Sequence, residues 1–314
     1  MSAPRARASL ARSRPRLLAV LLCVAGAALS ACGSSGTSTT NSTSSSSKSS
    51  TAGGGRAVAV IYAGSLSKLM EDDIGPAFQR ATGYSFQGFS GGSGEDAKEI
   101  KGKVRKLDVF VSASAEADSE LQGAANGGWV SWYSTFATTP LVLGYDPSSR
   151  LGKELAAGKP WYDALGEHGI RVGRTDPKLD PKGALTVQAV EAAASKLRKP
   201  ALERALASFP VFPETALVGR LQSGQLEAGF FYAIEASVAH IPTVSLAPAT
   251  KTAAYTVTIL NHAPDQAGAE AFVRYLLRAS TASTLTASGL TPLAPAKLSG
   301  EARAVPAGVR ASAG

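Results

Sequence analysis

The run Ala57-Val58-Ala59-Val60-Ile61-Tyr62, which stops at Ala63-Gly64-Ser65 and passes into Leu66, constrains this chain more than any other stretch. Small and β-branched apolar residues over that length predict a strand. Leu66, Leu69, Met70, Ile74 and Phe78 then recur at helical spacing. A strand that turns through Gly-Ser into a helix aims unpaired backbone N–H groups and one hydroxyl at a single point. The positive end of the helix dipole adds to them, so the turn is a ready anion site. Ser65 suits a plain N-cap equally well, and the motif alone does not separate the two roles.

Later segments repeat the junction. Tyr84-Ser85-Phe86-Gln87-Gly88-Phe89 runs into Ser90-Gly91-Gly92-Ser93-Gly94 and a helix near Glu95. Ser93 with Asp96 reads as a capping box, or else the glycines let the backbone wrap a ligand to which Ser93 donates. Val172-Gly173 ends in a polar turn and a helix opened by Pro181, which makes Asp180 the N-cap. Ala228 to Tyr232 enters a short helix, and Ala254 to Leu260 is a strand before the helix around Phe272. Asp108, at the head of another strand, satisfies local backbone. Trp129, Trp132 and Tyr133 read as packing residues. In all, strands are expected at 57–62, 84–89, 107–112, 141–145, 170–173, 228–232, 243–247 and 254–260. Helices are expected at 66–82, 95–105, 115–125, 182–198, 201–208, 214–223, 265–279 and 281–288. Such alternation implies an α/β protein with parallel sheet covered by helices.

The first 55 residues stand apart. Arg5, Arg7, Arg12, Arg14 and Arg16 precede the apolar run Leu17 to Leu29, the pattern of an export signal over 1–31. Leu29-Ser30-Ala31-Cys32 resembles a bacterial lipobox, which would make Cys32 the lipidated N-terminus; ordinary cleavage with a spare thiol is the alternative. Bacterial lipoproteins carry more than one acyl chain on that cysteine, which the resemblance implies here, and one chain alone would anchor only marginally. Residues 32–55 read as a Ser/Gly-rich tether with a reach of about 25 Å. Losing the five arginines takes the formal charge from +8 to +3, so the basic balance gives no support to nucleic-acid binding. With Cys23 inside the signal, Cys32 is the one cysteine left, which excludes an internal disulfide and cysteine-built metal sites.

An enzyme reading has one foothold. Gly88-Phe89-Ser90-Gly91-Gly92 fits the G-x-S-x-G elbow of serine hydrolases, with His168, His240 and His262 downstream. The preceding strand is half polar, and no His-Gly-Gly motif, Walker A motif, zinc motif or dinucleotide fingerprint is present.

Taken in order, Ala63-Gly64-Ser65, Gly92-Ser93, Asp108-Val109 with Ser112-Ala113-Ser114, Asp176-Pro177 with Leu179-Asp180-Pro181 and Gly183, and Gly229-Phe230-Phe231-Tyr232 resemble the substrate-binding proteins of molybdate/tungstate ABC importers, over about residues 58–293. The resemblance implies a two-lobed periplasmic-binding-protein fold (type II), each lobe a mainly parallel sheet flanked by helices. Two crossings are expected near 138–141 and 249–255. Lobe one would be 56–139 plus 255–300, lobe two 140–254, and 301–314 a tail. It implies an oxyanion held by the Ser65 and Ser93 hydroxyls, the Asp180-Pro181 segment, the Phe231 backbone N–H and Tyr255. Tungstate-type members have carboxylates at the positions of Asp180 and Phe231; this chain keeps only the first. Also implied are a non-enzymatic monomer, exported and lipid-anchored to the outer face of the cell membrane or on the periplasmic side, with no cofactor and no free metal. Its partners are ABC permease and ATPase subunits. Sulfate, phosphate or a small organic anion in the same fold stays open, as does contact of Tyr232 or Glu235 with the ligand.

Overall fold

The computed structural model describes residues 56–167 and 169–313, so the signal segment, Cys32, the tether and His168 lie outside the described residues. β1 (Ala57–Ala63) lies between β2 (Ser85–Gly91) and β3 (Val109–Ser112), parallel to both. Its unbroken apolar character has a direct cause. Val58, Val60 and Tyr62 enter one buried cluster with Phe272 and Val273 of the helix Gln266–Leu277. Ala59 and Ile61 enter a second, with Ala97 and Ile100 of the helix Ser93–Lys101. A strand covered on both faces has no polar face to alternate with.

The sheet continues through β8 (Thr252–Ile259), antiparallel to β3, into β4 (Trp132–Tyr145). β4 holds the molecule together. Up to Pro140 it pairs with β8 and with β9 (Thr291–Gly300); from Leu141 onward it pairs with β6 (Ala228–Tyr232) and β7 (Thr243–Ser245). β5 (Val172–Gly173) extends that end, parallel to β6. The result is two lobes, one on β2-β1-β3-β8 and one on β5-β6 with β7. β4 and β8 run side by side where the partners change, with Pro140 opposite Thr252. The sheets are therefore mixed rather than mainly parallel. The strands that pass between lobes travel in opposite directions, so they pair antiparallel with each other and with their neighbours.

Other expectations need correction. The helix over 66–82 is three pieces: a 3-10 turn Gly64–Leu66, a π-helical turn Leu69–Ile74 and an α-helix Gly75–Thr82 with Pro76 in its first turn. Proline has no N–H to give, and its ring displaces the carbonyl one turn back, so the ladder widens just before it. The strand expected at 141–145 starts nine residues earlier, and β9 was not expected, because Pro292 and Pro295 argue against a strand. The helices Arg150–Ala156 and Trp161–Ala164 were likewise missed. Residues 301–314 are more than a tail, since Ala307–Ala313 is helical and Val305 and Val309, one helical turn apart, are buried in the main core. Asp108 satisfies backbone, but not the local backbone expected: it accepts from Ala59 N–H (2.8 Å) and Asp265 N–H (2.7 Å), 49 and 157 residues away, because packing brings β1 and the start of the helix Gln266–Leu277 beside it.

Candidate functional site

The ends of the parallel strands carry their turns to one face, where the lobes meet. Ser65 sits in the turn after β1, buried, and its hydroxyl lies 2.8 Å from the Tyr255 hydroxyl of β8. It caps nothing: Ala63 holds the N-cap position, with no side-chain bond. The capping box at Ser93 is not made either. Gly92 is the N-cap, and Ser93 Oγ accepts the Ala113 N–H at 3.0 Å.

Across the cleft, Asp180 caps the helix Pro181–Leu197, its Oδ1 accepting the Lys182 N–H at 3.0 Å while Oδ2 has no partner. The lobes touch here. Glu95 N–H donates to Leu179 C=O at 3.0 Å, and a Cβ on Gly92 would come within 2.6 Å of that same oxygen. Gly64 is equally constrained, because a Cβ there would overlap the Glu214 carboxylate of the opposite lobe. Glycine at both positions lets backbone meet backbone and carboxylate without a side chain between.

Phe231 stands apart from the other four expected residues. Its ring fills the cluster of Val142, Leu217, Leu221, Leu226 and Ile241 and lies against Gly144 and Gly229. The centre of that ring lies 5.8 Å from the Lys182 ammonium, and the side chain offers no donor of its own. The neighbouring Tyr232 sends its ring to the other side, 6.1 Å from that of Tyr255, with its hydroxyl unpartnered. Burial pushes both tyrosine hydroxyls well above their ordinary range, so both are neutral donors.

Between these groups lies a feature that sequence reasoning missed. Lys182 is fully buried, and its ammonium donates to Glu214 Oε1 (3.0 Å) and Glu235 Oε1 (2.7 Å). Glu235 Oε2 in turn accepts the Tyr232 N–H at 2.8 Å. Burial works against the Lys182 charge, but the carboxylates of Glu214, Glu235 and Asp180 outweigh it and hold the ammonium above its ordinary range. Burial raises Glu214 well above the ordinary carboxylate range despite Lys182, and it raises Asp180 too. One sequence signal was available. A lysine in the first turn of a helix opposes the dipole, so a buried one must find carboxylates elsewhere.

Ser90 is not at an elbow. It lies within β2, before the turn, and is exposed; His240 and His262 are exposed as well, and His262 packs edge-on to Trp129. Among the described residues no helix is long and apolar enough to cross a membrane.

Two α/β lobes, joined by paired strands and closing over buried donors, define a solute-binding protein of the periplasmic-binding type. The chain belongs to the bacterial extracellular solute-binding proteins, whose family model matches residues 58–291. Over 222 residues it is 31% identical to a Haloferax volcanii protein that carries the name ABC transporter molybdenum-binding protein; the match spans 70% of this chain and 66% of that one. Among solved structures it resembles the periplasmic molybdate-binding protein of Azotobacter vinelandii. That likeness has a TM-score of 0.57 at 19% identity, covering 74% of this chain and 98% of that one. It also resembles the sulfate-binding protein SubI of Mycobacterium tuberculosis, with a TM-score of 0.61 at 14% identity, covering 76% and 88%.

Proposed function

We propose that this protein captures a tetrahedral oxyanion, molybdate or tungstate, between its lobes and delivers it to an ABC permease driven by its ATPase. The observation that carries the reading is the meeting of neutral hydroxyl donors with a buried ammonium. Ser65 and Tyr255 stand on one side, Tyr232 and Lys182 on the other, and the lobes touch beside them where Glu95 N–H meets Leu179 C=O and Gly64 meets Glu214. A dianion brought to two ionised carboxylates would be repelled by about 4 kcal/mol per unit pair at 4 Å and an effective dielectric of 20. The upward shift of Glu214 and Asp180 lowers that cost, and the named relatives support molybdate as the first ligand to try. The Phe231 contribution is its backbone N–H. Ser93 contributes its hydroxyl proton while its oxygen goes on accepting the Ala113 N–H.

Calorimetry against molybdate, tungstate, sulfate and phosphate tests the reading. Ser65→Ala and Ser93→Ala should each weaken the preferred oxyanion about ten- to a hundredfold, the value of a charge-assisted hydrogen bond. Unchanged affinity in both variants would remove them from the site. Sulfate is the second reading, because a sulfate-binding protein shares the fold. Anchoring through lipidated Cys32 is part of the proposal, and Cys32→Ala should release the protein from membranes with its affinity intact. A variant that stays membrane-bound would refute the anchor.

A further inference from the structure

Charge in the folded part is not spread evenly. With Lys48 in the tether, the formal balance from residue 56 onward is only +2, yet residues 98–106 hold Lys98, Lys101, Lys103, Arg105 and Lys106 against the single acid Glu99. That stretch carries +4, so everything else from residue 56 is net acidic. Among the described residues, Arg105 alone of these five cations is ion-paired, with Glu99 at 2.9 Å. Lys101 donates to Asn126 at 3.3 Å, and the Lys103 ammonium lies 6.0 Å from the centre of the half-buried Trp129 ring. The helix Ser93–Lys101 ends here, closed by backbone bonds from Gly102, Lys103 and Val104 back to Lys98, Ile100 and Glu99. Cations in a last helical turn offset the dipole, which accounts for Lys98 and Lys101. It does not account for Lys103 and Lys106, which lie beyond the turn. Nor does it account for Val104 between them, at 64% the most exposed large apolar side chain among the described residues.

Strand register fixes where this patch faces. Asp108 N–H donates to Ala59 C=O at 2.8 Å and β1 runs parallel to β3, so Lys106 stands at the edge where β1 begins. The segment 32–55 joins the fold at that same edge, through Arg56. The cleft residues lie at the opposite ends: Ser65 follows the last residue of β1, and Ser93 opens the helix that closes at Lys101, nine residues or about 13 Å on. We infer that the patch docks on an anionic lipid bilayer, its lysines among the headgroup phosphates and Val104 dipping between them. The headgroups supply the countercharge that the chain withholds, and lysine stems lie along apolar surface while their ammonium heads stay at the phosphates. A tether of about 25 Å leaving from the same edge lets the patch reach the surface to which that tether leads. A basic patch is weak and salt-reversible by itself, so it orients the domain and does not replace an acyl anchor. Docked this way, the cleft faces away from the bilayer toward arriving solute, and delivery requires the domain to let go. That orientation rests on the receptor reading; the lipid contact does not.

The test uses the mature chain carrying Cys32→Ala, and so no acyl group, in co-sedimentation with vesicles of phosphatidylcholine alone or with about one third phosphatidylglycerol, with no oxyanion present. Binding to the anionic vesicles only is expected at about 0.05 M salt, and its loss at about 0.5 M. Lys101→Glu, Lys103→Glu and Lys106→Glu together should weaken it about a hundredfold or more, since each cation near an anionic surface is worth about fivefold. Val104→Asp should weaken it with every cation in place. Lys153→Glu, Lys196→Glu and Arg204→Glu, exposed on helices of the other lobe, make the same change in net charge and should leave most of the binding. Should the first triple variant fold poorly, glutamine at the same three positions carries the test. No binding to anionic vesicles, equal binding to both vesicle types, or equal loss in the two triple variants would overturn the inference. Retention on heparin without vesicle binding would do so too, by giving the patch a soluble polyanion instead. Oxyanion calorimetry on the Lys101, Lys103 and Lys106 variant should match the parent, so failure of the receptor reading leaves this result legible.

Discussion

Lys182→Met is the most informative single change. The ammonium is fully buried in the first turn of its helix, where the dipole opposes it, and it is held by two charge-assisted bonds at 3.0 and 2.7 Å. Methionine fits the volume but leaves the Glu214 and Glu235 carboxylates buried without their cation. Breaking a buried pair from one side typically costs about 3–5 kcal/mol, and in a domain of this size each kcal/mol lowers Tm by about 2–4 °C. Thermal unfolding at pH 7 should therefore show a loss of roughly 6–20 °C. The pH dependence has a definite sign. Glu214 already titrates above the ordinary range beside Lys182 and will titrate higher without it. A carboxyl whose folded value lies above its unfolded value destabilises the fold as pH rises past the unfolded value, by up to about 1.4 kcal/mol per unit. The deficit of the variant should thus be small near pH 4.5 and widest at pH 8. Adding Glu214→Gln and Glu235→Gln should recover most of it, since an apolar or neutral replacement of a whole buried network is close to neutral. A loss below about 1 kcal/mol at pH 7, or an equal deficit at pH 4.5 and 8, would refute the reasoning.

Further outcomes follow from the same geometry. Gly64→Ala puts a methyl where the Glu214 carboxylate sits, so the lobes should stay apart: small-angle scattering should show a more open particle and calorimetry at least about tenfold weaker oxyanion binding. A closed particle with full affinity would show that Glu214 moves aside freely. Asp180→Asn keeps the N-cap and removes a charge, so it should bind molybdate or tungstate at least as well as the parent. Lost binding would instead make Asp180 a ligand of the metal centre. Asp118, buried and bonded by the Thr256 hydroxyl, is pushed up to about 8, mainly by desolvation. The parent should accordingly lose stability as pH climbs from about 4 to 8, by up to about 1.4 kcal/mol per unit, and Asp118→Asn should flatten that slope in denaturant midpoints. Parallel slopes would mean that Asp118 is ionised throughout.

The sequence by itself determined what depends on neighbours along the chain. The apolar run before Gly64 had to be a strand between two covered faces, and the polar turn before Pro181 had to be closed by Asp180, which accepts from a backbone only two residues away. Ordered motifs already placed the chain among the solute-binding proteins of ABC importers, the family it belongs to. Where signals conflicted, the tertiary structure decided. Pro292 and Pro295 argue against a strand, yet β9 forms beside β4; Leu66 to Phe78 reads as one helix, yet Pro76 breaks its ladder into three pieces. The site itself was legible only in part. Ser65 and Tyr255 could be named, but not that their hydroxyls meet across 190 residues, and a lysine in the first turn of its helix hints that Lys182 needs carboxylates without saying that Glu214 and Glu235, 32 and 53 residues on, supply them. Local preference follows from backbone geometry and is written residue by residue, whereas burial of a charge becomes tolerable only when packing delivers its partner, and that partner is chosen by the whole chain.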